Sequence, residues 1–112
     1  MTPRLILLAL LAAPSVQAAP RLTFNRDVRP ILAENCFACH GPDKAARKAD
    51  LRLDVREEAL RAKAFVPGKP AESELVARIT GKGKLMPPAK SHKVLSAKQK
   101  EVLERWIAEG AE

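Results

Sequence analysis

An all-α domain of about four helices is the fold this sequence predicts. Three observations carry that expectation. Apolar residues recur at helical spacing near both ends, at Val28, Ile31, Leu32 and Cys36 and again at Val102, Leu103, Trp106 and Ile107. Two stretches read as capping boxes that open helices, Asp54-Val55-Arg56-Glu57 and Ser96-Ala97-Lys98-Gln99. Alternation of the kind a strand needs is confined to Leu51-Arg52-Leu53.

The chain has 112 residues, enough for one small domain. Residues 1–18 read as a secretory signal peptide rather than as part of it. Arg4 is a short basic start, Leu5 to Ala13 is apolar, and Val16-Gln17-Ala18 offers small residues for cleavage after Ala18. The apolar run is about half the roughly 20 residues a spanning helix needs, and no later segment is apolar enough to cross a bilayer. The domain is therefore expected to be residues 19–112, exported to the periplasm or beyond, with no membrane span after cleavage.

In that domain, Asn25 and Asp27 are both candidate caps for the first helix, and Pro30, tolerated only near a helix start, favours Asp27. Its apolar face runs to Cys36, and Gly41-Pro42 stops the helix just past His40. Residues 43–50 are charged and aperiodic, a surface loop. The second helix is expected from the Asp54 capping box to about Lys63, followed by a turn at Val66-Pro67-Gly68-Lys69-Pro70. A third runs from about Ala71 to Ile79, burying Leu75, Val76 and Ile79, with Gly81 beyond its end. Gly81 to Pro88 cannot be regular structure, and a last helix follows Ser96 and ends at Gly110.

The chemistry is concentrated in Cys36-Phe37-Ala38-Cys39-His40, which reads CxxCH, the attachment signature of a c-type haem. Two cysteines three apart can each form a thioether to a haem vinyl group, and the adjacent histidine can meet the iron as proximal ligand. Three other readings compete. A thioredoxin-like pair starts a helix after a strand, whereas Cys36 ends one. Zinc needs four ligands, and Cys36, Cys39, His40 and His92 are spaced like no zinc module. A plain disulfide suits an exported chain but leaves His40 without a role. Composition favours the haem: a domain this size is marginal on its own core, and three Phe, one Trp and no Tyr leave the middle to be filled by something else.

A sixth ligand follows by elimination. Met86 is the only methionine once Met1 leaves with the signal. It lies in a Gly- and Lys-rich loop, where core filler is not expected, and Pro87 and Pro88 stiffen the chain after it. His92, in a polar stretch, is the rival ligand, and an open sixth site is the third possibility. Phe24 and Trp106 read as packing residues, although the Trp106 indole could reach a haem propionate. Arg47, Lys48 and Arg52 could neutralise propionates.

The net charge of +7 permits nucleic acid, an anionic surface or an acidic protein as partner. Export and the lack of any DNA- or RNA-reading motif exclude the first. Lys82, Lys84, Lys90 and Lys93 could ring an exposed haem edge and steer an acidic redox partner. No second carboxylate, serine triad or phosphate loop stands out, so no hydrolytic site is expected.

Together these pieces resemble the planctomycete-type cytochrome c domain, within the class I cytochrome c-like fold. The resemblance rests on Phe24 to Leu32, Cys36 to Asp43, Leu51 to Asp54, Val66 to Pro70, Ser73 to Leu75, Met86 to Pro88 and Arg105 to Ala111, in order along nearly the whole domain. It implies one covalent haem c held by Cys36 and Cys39, with His40 and Met86 on the iron, and first and last helices that cross near the haem edge. It also implies an electron carrier rather than an enzyme, serving redox protein partners. The family's domain usually opens a much longer chain, whereas this sequence ends at Glu112, so a stand-alone carrier and a piece of a larger protein are both compatible with it. Outside the carrier class, the alternatives are a haem subunit of an exported dehydrogenase and a haem sensor or peroxidase with an open sixth site.

Overall fold

The apolar spacing near each end of the domain builds its two main packing faces. The computed structural model describes residues 2–6, 8–13 and 20–112. The expected cleavage site lies outside the described residues. Residues 2–6 and 8–13 have no regular structure, and Leu5, Ile6, Leu8, Leu10 and Leu11 are exposed, contributing nothing to the core.

Four α-helices follow: α1 (Arg29–Asn35), α2 (Arg56–Arg61), α3 (Glu74–Ile79) and α4 (Ala97–Ala108). A π-helical turn, Phe24–Val28, leads into α1, and 3-10 turns occupy Pro70–Glu72 and Ala89–Ser91. No strand occurs among the described residues, so the domain is all-α. No helix among them is long and apolar enough to cross a membrane.

Several helix ends differ from the sequence reading, each for a local reason. Asp27 is not the first cap: the helical path begins at Phe24, and the Asp27 carboxylate reaches back to accept the Thr23 N–H at 2.8 Å. The helix does not run through the cysteines. It stops at Asn35, where the Cys36 and Phe37 N–H groups both converge on the Leu32 carbonyl, at 2.7 and 3.0 Å. Asp54 does not cap α2, because its carboxylate is taken by Arg52 at 2.6 Å. The third helix starts at Glu74, since Ser73 is buried and its hydroxyl is spent on the Lys69 carbonyl and the Val66 N–H. The Ser96–Gln99 capping box on α4 forms as expected.

Val28, Leu32, Leu103 and Ile107 are fully buried at the centre, each worth about 1.5–3 kcal/mol in apolar transfer. Phe24 lies 5.6 Å and Phe65 5.2 Å from Trp106, centroid to centroid, so Phe24 and Trp106 are packing residues. It is chiefly the π-helical turn that meets α4 here, where the resemblance implied a crossing of the first and last helices. The Trp106 indole donates to the Glu112 carbonyl at 3.0 Å and has no proton left for a propionate. Helices of six and seven residues are not stable alone. They hold by packing on one another and around the space described next.

Candidate haem-binding site

A cavity of about 440 Å³ opens between the turn after α1 and the loop after α3. Cys36, Cys39, His40 and Met86 all line it, with an apolar wall that includes Leu51, Leu53, Leu75 and Ile79. His92 does not line it: the residue is exposed, with a left-handed backbone at φ 57°. Lys84 and Lys93 reach its rim, while Lys82 and Lys90 do not.

The Cys-x-x-Cys-His segment is a turn rather than helix. It closes through the His40 N–H to the Cys36 carbonyl at 2.8 Å and the Cys39 N–H to the same oxygen at 3.2 Å. The bend that follows admits no side chain at Gly41, where a Cβ would sit 2.2 Å from the Phe37 carbonyl oxygen. The sequence reading took Gly41 only as a helix stop; its close approach to the turn is the stronger requirement.

Burial sets the electrostatics. Both thiols are free, and burial pushes the half-buried Cys36 thiol up to about 11, with the nearby Lys93 charge pulling the other way. Burial lowers the His40 pKa, only partly offset by the Lys48 backbone, and so favours the neutral imidazole, the form that ligates a metal. His40 Nδ1 is buried without a hydrogen-bond partner. An apolar cavity, two free thiols at its wall and a neutral histidine with an orphaned nitrogen form a donor set that fits a covalently held haem.

The arginines expected near propionates are otherwise engaged. Arg47 donates to the Gly41 carbonyl at 3.0 Å and sits 3.6 Å from Asp50, and Arg52 is paired with Asp54. Sequence reasoning missed this bracing, because hydrogen bonds to main-chain carbonyls leave no residue-type signature. The Lys48 side chain remains exposed.

A helical domain that wraps an apolar cavity around such a turn fits a cytochrome c domain. The planctomycete cytochrome C family model matches residues 36–90, from the first motif cysteine to just beyond Met86, and the chain carries a planctomycete-type cytochrome c domain. That family implies haem c and a haem-binding electron carrier. No curated protein and no solved structure matches the chain.

Proposed function

We propose that the protein is an exported mono-haem c-type cytochrome that passes single electrons between redox protein partners. One observation carries the reading: both thiols, His40 and Met86 line the same cavity, and His92 does not. In this reading residues 1–18 direct export and residues 19–112 form a class I cytochrome c-like domain in the periplasm or beyond. Cys36 and Cys39 would tether the haem as thioethers, and His40 and Met86 would ligate its iron. The bound haem supplies one-electron chemistry at its iron, and methionine ligation favours a comparatively high reduction potential.

The chain's own residues keep that chemistry narrow. The neutral His40 imidazole offers a lone pair without first losing a proton, and the Met86 thioether has none to lose. Leu51, Leu53, Leu75 and Ile79 give the cavity an apolar wall. The stretch from Leu75 to Lys100 contains no Asp or Glu, and Lys84 and Lys93 stand at the rim, which supports an acidic partner.

The test is the visible to far-red spectrum of the protein expressed with haem-attachment machinery, oxidised and reduced. A covalent c-type spectrum with a weak far-red sulfur-to-iron band is expected. A c-type spectrum without that band, together with ready carbon monoxide binding, would favour a sensor or peroxidase with an open site. Absence of covalent haem would overturn the proposal.

A further inference from the structure

Three consecutive carbonyls at the end of the motif turn are capped from one short segment. Cys39 O accepts the Lys48 N–H at 2.7 Å, His40 O the Leu53 N–H at 2.8 Å, and Gly41 O the Arg47 Nε–H at 3.0 Å. Arg47 Nη2 also reaches the Pro42 carbonyl at 3.4 Å. Arg47 is the one side chain in this set; the other two donors are main-chain.

Its burial is uneven with that of its acidic neighbour. The Arg47 side chain is 14% exposed, whereas Asp50, 3.6 Å away, is 96% exposed and adds little. The guanidinium is therefore held chiefly by carbonyl oxygens, bonds of the charge-assisted kind. The segment it anchors is a strained one, since Ala49 and Asp50 both lie in the left-handed region at φ 53° and 52°. That bend carries Lys48 to Cys39 and brings Leu51 and Leu53 to the cavity wall. Without an anchor at Arg47 the bend has less reason to persist.

We propose that Arg47 is a positioning residue for His40. It clasps the loop after the motif through the Gly41 and Pro42 carbonyls, braces the segment whose Lys48 and Leu53 N–H groups hold the Cys39 and His40 carbonyls, and so holds the imidazole in one orientation at the cavity. Orientation of a ligating histidine by surrounding groups tunes the metal it binds. The inference rests on the reading of His40 as an iron ligand.

Arg56 supplies the control. It makes the same kind of contact on another part of the domain, donating to the Ala111 carbonyl at 2.7 Å and the Gly110 carbonyl at 3.5 Å, and it does not line the haem-site cavity. The experiment compares haem-loaded wild type, R47Q, R47K, R56Q and H40A. Amide hydrogen exchange at Lys48 and Leu53 and the low-spin electron paramagnetic resonance signal of the oxidised iron are the two readouts.

In R47Q, exchange at both amides should accelerate about tenfold, as expected for loss of one charge-assisted hydrogen bond in a locally opening unit. Its low-spin signal should broaden or split as the histidine samples more than one orientation. R47K, which keeps the charge but not the planar fork, should fall between R47Q and wild type. R56Q should lower the thermal midpoint while leaving both readouts at wild-type values. Should R47Q fail to fold, faster exchange at these two amides in R47K, absent in R56Q, is the supporting result. Wild-type exchange and signal in the Arg47 variants, or equal changes in R56Q, would overturn the clasp. A wild-type low-spin signal in H40A would instead overturn the ligand assignment beneath it.

Discussion

The two sides of the cavity are held by different means. On the motif side, the carbonyls of Cys36, Cys39, His40 and Gly41 all accept hydrogen bonds, within the turn or from residues 47–53, and Gly41 leaves no room for a Cβ beside the Phe37 backbone. On the other side, Met86 stands in a loop held to the end of α3 by the Lys82 N–H to the Ala77 carbonyl at 2.8 Å, by the Met86 N–H to the Arg78 carbonyl at 3.1 Å and by a long Arg78 contact to the Lys84 carbonyl at 3.4 Å, and tied to α1 through Lys93. Leu85 beside it is 51% exposed. Local stability follows such differences in hydrogen bonding and burial. The motif side is braced by residues 47–53, whereas the loop around Met86 is tied mostly to its own helix, α3. Damage to the first should cost the fold, and damage to the second should cost ligation.

The largest effect is expected at glycines chosen from each side. Gly41→Ala places a methyl group 2.2 Å from a backbone oxygen that cannot swing away. It should destabilise the domain by about 3 kcal/mol, in the range of severe overpacking, and sharply reduce the yield of haem-attached protein. Gly83→Ala meets nothing within 4 Å and carries only the penalty of φ +120°, about 1–2 kcal/mol. Chemical denaturation of both variants checks the contrast. Equal losses would mean that the methionine loop is as firmly built as the motif turn.

Met86→Ala should leave the fold and the covalent haem in place while removing the far-red band, lowering the reduction potential and admitting carbon monoxide. Half-burial of Met86 keeps its packing contribution near 1 kcal/mol, below that of a core methionine. An unchanged potential would sink the ligand assignment, and a domain that no longer folds would sink the contrast between the two sides.

How far the sequence was legible follows the same division. The helical class, the buried faces of α3 and α4, the Ser96 capping box and the irregular loop around Met86 were all readable, because each depends on periodicity or on a cap within a few residues. Cys36, Cys39, His40 and Met86 were readable as candidate residues, and all four line the cavity; its apolar wall of Leu51, Leu53, Leu75 and Ile79 was not placed there by the sequence. The start of the first helix was not readable: Asn25 and Asp27 were the candidate caps, but the helical path begins at Phe24 and the Asp27 carboxylate accepts the Thr23 N–H from inside it. Nor was the end of that helix: nothing in Asn35 or Cys36 by itself announces that two N–H groups will share the Leu32 carbonyl. Arg47 and Arg52 resemble free surface charges in sequence, and only tertiary placement spends one on carbonyls and the other on Asp54.

Acid should act on the domain through its frame rather than through the methionine loop. Hydrogen bonding from Arg52 lowers the Asp54 pKa, and the Asp27 pKa is lowered by Arg26 and then by the Thr23 N–H. The Leu22 N–H, and then Arg105, lower that of Glu109. A carboxylate with a lowered folded pKa adds stability that is complete above its ordinary value and is lost as pH falls through the folded one. The thermal midpoint should therefore hold down to about pH 4 and decline below it. With no Asp or Glu between Leu75 and Lys100, the far-red band should vanish together with the fold in one transition. A band lost at higher pH than the fold would place an acid-sensitive contact at Met86.

The smallest expected effect lies where the two sides meet. Lys93, on the methionine side, donates its ammonium to the Glu34 carbonyl at 2.5 Å, one residue before α1 ends and two before Cys36. That carbonyl belongs to the last turn of a helix, where a cation satisfies an otherwise free acceptor and opposes the negative end of the helix dipole. The lysine is exposed, so Lys93→Met should cost only about 0.5 kcal/mol. Its kinetic consequence should exceed its thermodynamic one. With this tie cut, the methionine loop can move away from the motif side without disturbing the clasp, and carbon monoxide should bind the reduced variant faster than wild type at nearly unchanged midpoint. A loss of stability comparable to that of Gly41→Ala would show that the two sides are one cooperative unit and that the separation drawn between them is wrong.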